Sequence, residues 1–264
     1  MRFSTSIIFL LGFVLCFGRP SFAKIEEIKS MRDIESAITD DTLVVLDIDN
    51  TIIHPTTYLG SDEWHYYLYR IYKINGVDEK EILSKTTDVW NKTQSLIEIE
   101  LAEKGTPDLI KKLQGRGIKI MSLTARDGAI ADLTIKHLKS LGVDFSKSSL
   151  LEADKELPWP EGGVLVRGGI IFVGENNVKG KVLSQFLQKI KFIPRKVVFV
   201  DDRQKHVRSV DKEMGDLGVP CVSFRYGALD ERVKSFEAFF SLFSESGPKD
   251  KWMADLFLLG QIKK

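Results

Sequence analysis

Asp47 and Asp49 stand two residues apart, with Thr51 just beyond them. The apolar run Leu43-Val44-Val45-Leu46 leads straight into the pair. Such a run reads as a buried strand. The carboxylates then fall at its C-terminal end, where open α/β sheets bind their ligands. Two neighbouring carboxylates repel each other unless a cation or a shared proton compensates. A hard, oxygen-seeking ion such as Mg²⁺ is the natural partner. One carboxylate could then attack an electrophile while the other moves a proton. Two plainer readings compete with this one. A calcium loop of the EF-hand type needs Gly at its sixth position and Glu at its twelfth. Counted from Asp47, those positions hold Ile52 and Tyr58, which excludes it. The other is a solvated turn after a strand, since Asp and Asn are turn formers.

Three later segments extend the first. Ile118-Lys119-Ile120-Met121-Ser122-Leu123-Thr124 is a second strand-like run that ends in a hydroxyl. Lys179-Gly180-Lys181-Val182-Leu183 puts a cation at the start of a helical pattern. Val197-Val198-Phe199-Val200 runs into Asp201-Asp202-Arg203. In order and spacing these four segments, within about residues 43–226, resemble the haloacid dehalogenase-like (HAD) superfamily. Most members of that superfamily are phosphatases.

The resemblance implies roles for individual residues. Asp47 would attack phosphorus and form an aspartyl-phosphate. Asp49 would protonate the leaving oxygen and then deprotonate the attacking water. Thr124 would donate to a phosphate oxygen, and Lys179 would pair with the nucleophile and the phosphate. Asp201, Asp202, Asp47 and the main-chain carbonyl of Asp49 would hold Mg²⁺. Lys181 is a second candidate for the cation, although the Lys-Gly-x-x-Leu spacing favours Lys179. Ser122 shares a strand face with Thr124 and is the alternative hydroxyl. Arg126 and Arg203 flank the site, either as substrate contacts or as ion-pair partners.

The fold class expected is α/β, a HAD-like Rossmannoid three-layer sandwich around a parallel central sheet. Strands are expected near 43–48, 118–123, 196–201 and 220–224. Helices are expected near 106–115, 127–141, 179–190, 204–217 and 229–243, and this alternation gives a parallel sheet with helices on both faces. The superfamily would add a short strand near Ser149-Leu150-Leu151. Two stretches depart from this frame. Residues from about 55 to 105 carry a helix with Trp64, Tyr66, Tyr67, Tyr69 and Tyr72, then a helical region from about Asp78 to Glu103. In the superfamily an insertion here forms a cap over the site, with Trp64 and His65 as candidate substrate contacts beside Arg126 of the second motif. His54 is a candidate too, or a hydrogen-bonded loop residue. Residues from about 162 to 177 read as a β-hairpin insert with a glycine turn. A hairpin followed by Lys179 is similar to exported bacterial HAD-like acid phosphatases and to a poorly characterised exported HAD-like group.

The amino terminus resembles an export signal. Met1-Arg2 gives a positive start, and Ile7 to Phe17 is apolar but too short for a membrane span. Ser21-Phe22-Ala23 is a cleavage pattern, so residues 1–23 are the expected signal peptide and 24–264 the HAD-like domain. Removal of the signal would leave Cys221 as the lone cysteine, a small core residue in an apolar run with no internal disulfide to make. The chain carries 38 basic and 37 acidic residues, a balance that does not favour a nucleic-acid partner. The apolar stretch from Trp252 to Leu259 is expected to pack on the domain.

The expected function is an exported, periplasmic or secreted bacterial phosphatase that uses Mg²⁺ on small phosphomonoesters. A phosphotransferase would use the same residues. A non-catalytic secreted or surface interaction protein on a HAD scaffold is the alternative of a different class. An export signal cut after Ala23 leaves Lys24 first. Mass spectrometry of the full chain produced in a bacterial host is expected to find Lys24 at the amino terminus, whereas an intact Met1 would make the segment an anchor.

Overall fold

The computed structural model describes residues 25–151, 159 and 163–244. The expected signal peptide and the stretch 252–259 lie outside the described residues. A sheet of seven strands forms the centre: β1 Glu26–Ile28, β2 Thr42–Leu46, β5 Lys119–Thr124, β6 Leu165–Arg167, β7 Ile170–Phe172, β8 Lys196–Asp201 and β9 Cys221–Tyr226. Their spatial order is β1-β9-β8-β2-β5-β7-β6. All neighbours run parallel except β6 and β7.

Strand alternation divides the core in two. On one face, Val44, Leu46, Ile120, Val198 and Phe172 pack with Leu109, Ile110 and Leu113 of α3 (Thr106–Gly115) and Leu138 of α4 (Ala131–Ser140). On the other, Leu43, Val45, Met121, Ile171 and Phe199 pack with Leu183, Phe186 and Leu187 of α5 (Lys179–Lys189) and Val207 and Val210 of α6 (Gln204–Asp216). Both faces of β2 are therefore covered, which is why it reads as an unbroken apolar run. The expected three-layer α/β sandwich is present.

The chain leaves β2 and next enters the sheet at β5 on one side, then later at β8 on the other. The crevice between such diverging connections is where doubly wound sheets place their ligands. Asp47, Thr124 and Asp201 all stand there, at the C-terminal ends of β2, β5 and β8.

The stretch between β2 and α3 forms a separate lobe. It contains α1 (Asp62–Ile74) and α2 (Glu79–Thr93), joined to the sheet by an antiparallel ribbon of β3 (Ile53–Pro55) and β4 (Ile99–Leu101). The sequence expectation of helix to Glu103 is corrected here. The helix stops at Thr93, and Ile99-Glu100-Leu101 pairs with Ile53-His54-Pro55 instead. Trp64, Leu68 and Trp90 form the lobe's own apolar cluster together with Ile130 and with Phe236 of α7 (Asp230–Ser244).

The hairpin is found as well, and it continues the sheet. Gly168 (φ 60°) and Gly169 (φ 77°) make its turn, where two successive positive φ values suit a two-residue hairpin. No strand forms at Ser149–Leu151; β7 occupies the place beside β5, pairing Ser122 with Ile170 and Thr124 with Phe172. Cys221 is buried, and burial pushes its thiol up to about 12, as expected of a core residue.

Gly180 lies close against the Ser209 main chain of α6. A Cβ built there would lie 2.1 Å from the main-chain oxygen of Ser209. Its own N–H donates to Ser209 Oγ at 3.2 Å. Gly180→Ala must push the two helices apart and is expected to cost about 1–3 kcal/mol, read as a lower urea midpoint.

Candidate active site

The turn after β2 is held by its main chain. Asp47 N–H donates to Val200 O of β8 at 2.9 Å, and the N–H groups of Ile52 and Ile53 both reach back to Ile48 O. Asn50 takes a left-handed conformation (φ 56°), which its residue type tolerates better than most. This tight loop fixes Asp47 and Asp49 in different directions.

Asp47 meets Lys179 and the acids of β8. Lys179, the first residue of α5, places Nζ 2.6 Å from Asp47 Oδ1 and 2.8 Å from Asp201 Oδ2. It is only 1% exposed, whereas Lys181 is exposed; Lys179 is thus the lysine at the site. Asp47, Asp201 and Asp202 each present a carboxylate oxygen within 4.8 Å of the others. Burial, then Asp201, raises the Asp47 pKa well above the usual carboxylate range, against the pull of Lys179. Burial and Asp201 do the same to Asp202, and burial raises Asp201. Burial works to lower the Lys179 pKa, but the charges of Asp201 and Asp47 outweigh it and raise it. Ionising all three carboxylates beside one ammonium would leave two negative charges unmatched. An all-oxygen donor set with that deficit fits a divalent hard cation.

The carboxylate of Asp49 lies elsewhere. Arg126 grips it in a fork, Nε to Oδ2 at 2.9 Å and Nη2 to Oδ1 at 2.8 Å. Arg126 also donates to Thr134 Oγ1 of α4 at 3.1 Å and lies over the Trp90 ring of α2 at 5.2 Å. Its main-chain N–H donates to Thr124 Oγ1 at 3.1 Å. The Asp49 carboxylate therefore stands outside the three-acid cluster; its expected metal contact was the main-chain carbonyl. Arg126, a candidate substrate contact, is thus paired with Asp49, because a planar guanidinium matches a carboxylate in two bonds. Ser122 donates to Leu46 O at 2.8 Å and so braces β2, which leaves Thr124 as the hydroxyl at the strand end.

The lobe reaches the acids through Arg203. Its N–H donates to Asp201 Oδ1, and its Nε donates to Asp62 Oδ2 of α1, both at 2.8 Å. Its guanidinium lies 3.9 Å above the Tyr66 ring. Two candidate contacts prove internal to the lobe. Trp64 is 1% exposed inside the apolar cluster, because the α1 face that it shares with Leu68 packs on Trp90 and Phe236. His65 lies edge-on to Tyr66 and Trp90; both its ring nitrogens are buried without a hydrogen bond, and burial holds its pKa down. His54 joins the ribbon, with Nδ1 2.9 Å from Pro55 O and Nε2 3.6 Å from Glu100. Glu63 and Glu175 were not singled out in the sequence. Glu63 follows an N-capping serine, an acid position that usually signals only a helix start. Glu175 sits among turn residues just before Lys179.

Residues 27–243 match the family described as a protein of unknown function, DUF2608. The chain belongs to this family. Relatives of this DUF2608 chain include a Chlamydia pneumoniae protein named "Putative outer membrane protein", 24% identical over 224 residues, covering 83% of this chain and 84% of the relative. A Rickettsia prowazekii protein named as uncharacterized is 26% identical over 239 residues, covering 83% and 82%. Among solved structures, a haloacid dehalogenase-like family hydrolase from Streptococcus pneumoniae is similar with a TM-score of 0.44 and 15% identity, over 70% of this chain and 85% of that one. A HAD family enzyme from Bacteroides thetaiotaomicron, in complex with magnesium and inorganic phosphate, has a TM-score of 0.38 and 9% identity, over 69% and 93%. No helix among the described residues of the DUF2608 chain is long and apolar enough to cross a membrane.

Glu175 gives the site a titration near neutrality. Burial, then Asp62, pushes its pKa from 4.5 up to about 7. Between those values the folded chain keeps a proton that the unfolded chain releases, so folding weakens as pH rises through that window. Glu175→Gln is expected to flatten the fall of Tm between pH 4.5 and pH 7, measured without divalent ions.

Proposed function

We propose that this DUF2608 protein is an exported, Mg²⁺-dependent phosphatase of small phosphomonoesters that works through an aspartyl-phosphate. The observation that carries the reading is the buried Lys179, bonded to both Asp47 and Asp201 beside Asp202. This arrangement suits phosphoryl transfer, in which positioning and charge neutralisation supply most of the catalysis.

Asp47, Asp201 and Asp202 would hold Mg²⁺, together with the Asp49 carbonyl. The ion would neutralise charge on the phosphoryl oxygens. An Asp47 carboxylate oxygen bonds to phosphorus while the ester oxygen leaves with the bonding electrons and takes a proton from Asp49. Water then attacks the phosphorus, Asp49 accepts its proton, and the phosphorus–Asp47 bond breaks to release phosphate. Lys179 and the Thr124 hydroxyl carry the phosphoryl oxygens. Arg126 holds Asp49 in line for both proton steps. The lobe of α1 and α2 serves as the cap and limits water at the site, which strengthens the charge interactions within it. The substrate is a small phosphorylated molecule rather than a nucleic acid, consistent with the balanced charge of the chain.

The test is hydrolysis of a panel of phosphomonoesters, including 4-nitrophenyl phosphate, with and without Mg²⁺. Wild type is expected to turn over only with the ion, and Asp47→Asn is expected to lose at least about 10³-fold in kcat. Phosphate delivered to an added alcohol would make the protein a phosphotransferase. A folded wild type inert on the whole panel would favour the interaction-protein alternative.

A further inference from the structure

Asp202 is the one acid of the three-carboxylate cluster that no partner holds by its side chain. Lys179 bonds to Asp47 and Asp201, and the Arg203 N–H bonds to Asp201 Oδ1. The Asp202 carboxylate makes no hydrogen bond or ion pair among the described residues. Its place therefore depends on the main chain that carries it.

That main chain is gripped from β9. Arg225 Nε donates to Asp202 O at 2.8 Å. The Asp202 carbonyl and the Arg203 N–H belong to one peptide unit, which is planar and points them in opposite directions. One end of the unit bonds to Asp201 Oδ1 and the other to Arg225, each at 2.8 Å. Pinned at both ends, it orients the Asp201 carboxylate and fixes the turn from which the Asp202 carboxylate projects.

Arg225 is locked in turn. Its Nη1 and Nη2 donate to Asp230 Oδ2 and Oδ1, at the start of α7, at 2.5 and 2.6 Å. Nη1 also reaches Glu27 Oε2 of β1 at 3.4 Å. A planar guanidinium held by this fork has little freedom left at Nε. The fit is tight, since a Cβ at Gly227 would lie 2.8 Å from Asp230 Oδ2 and 2.9 Å from Arg225 Nη1. Two acids of its own offset the charge of Arg225. What it brings to Asp202 is a direction.

We propose that Arg225 is a positioning residue of the metal site, which holds the 202–203 peptide so that Asp201 and Asp202 present their carboxylates together. The inference rests on the reading above for the ion, but not for any step of catalysis. Asp230 and Gly227 serve the same device, one by holding the guanidinium and the other by leaving room for it.

Isothermal titration of the full-length chain with Mg²⁺ tests this. Arg225→Met is expected to weaken binding at least about tenfold, the size of effect seen when a group that orients metal ligands is lost. The sign decides between geometry and charge, because removal of a cation near the acids would by itself tighten Mg²⁺ binding. Arg225→Lys keeps the charge and one donor for Asp202 O, and is expected to fall between wild type and Arg225→Met. A folded Arg225→Met that binds Mg²⁺ as tightly as wild type or more tightly overturns the proposal, as does Arg225→Lys binding more weakly than Arg225→Met. If Arg225→Met does not fold, Gly227→Ala decides alone: it changes no charge, and unaltered affinity there overturns the proposal. A wild type that loses Mg²⁺ on Arg225→Met yet hydrolyses no ester would sink only the phosphatase reading. An active wild type whose affinity survives Arg225→Met would sink only this inference, and a wild type that binds no Mg²⁺ would sink both.

Discussion

A lysine ammonium enclosed between two carboxylates is the constraint on which this structure turns. Lys179 has almost no contact with solvent, and its bonds to Asp47 and Asp201 bring the ends of β2, β8 and α5 to one point. Taking all these charges out of water is unfavourable, and a single ammonium cannot balance the acids around it. The rest of the fold supplies the rigidity that holds them there. β2 is buried on both faces, β8 lies directly beside it, and Gly180 lets α5 settle against α6 so that Lys179 arrives at the right depth. A polar cluster so exactingly held makes little sense as scaffolding, since apolar residues of similar size would fill the same space with less penalty.

The second carboxylate of the first motif is managed separately. Asp49 faces away from the acids toward Arg126, which also spans Thr134, Thr124 and Trp90. One side chain therefore connects Asp49 to the helix α4, to the end of β5 and to the lobe. Arg203 does the equivalent for the acids themselves, joining Asp201 to Asp62 and Tyr66. Through these two arginines the lobe helps to build the site.

The sheet and its helices were legible because their apolar runs are long and periodic. The strands β2, β5, β8 and β9 and the helices α3 to α7 all fall within a few residues of expectation. Asp47, Thr124, Lys179 and Asp201 could be placed because each is adjacent in sequence to one of those runs. Some short elements escaped. Ile99-Glu100-Leu101 is too brief to show a period, so it read as the tail of a helix until its pairing with β3 was known. Partnerships also escaped, since Arg126 and Asp49 are 77 residues apart and Arg203 and Asp62 are 141 apart. The same holds for Trp64, an aromatic whose type fits a pocket or a core equally well until the helix facing it is seen.

The ribbon of β3 and β4 carries a consequence for how such chains can diversify. Its two strands lie side by side, so the lobe departs from the sheet and returns to it at neighbouring points. Closing a longer or shorter excursion between fixed ends changes the chain entropy only slowly with length. The stretch between Pro55 and Ile99 could therefore change in length while β2 and α3 kept their places, provided that Asp62 and Tyr66 still met Arg203 and Trp90 still met Arg126. The lobe can thus change in length while the sheet that carries Asp47, Thr124 and Asp201 stands still.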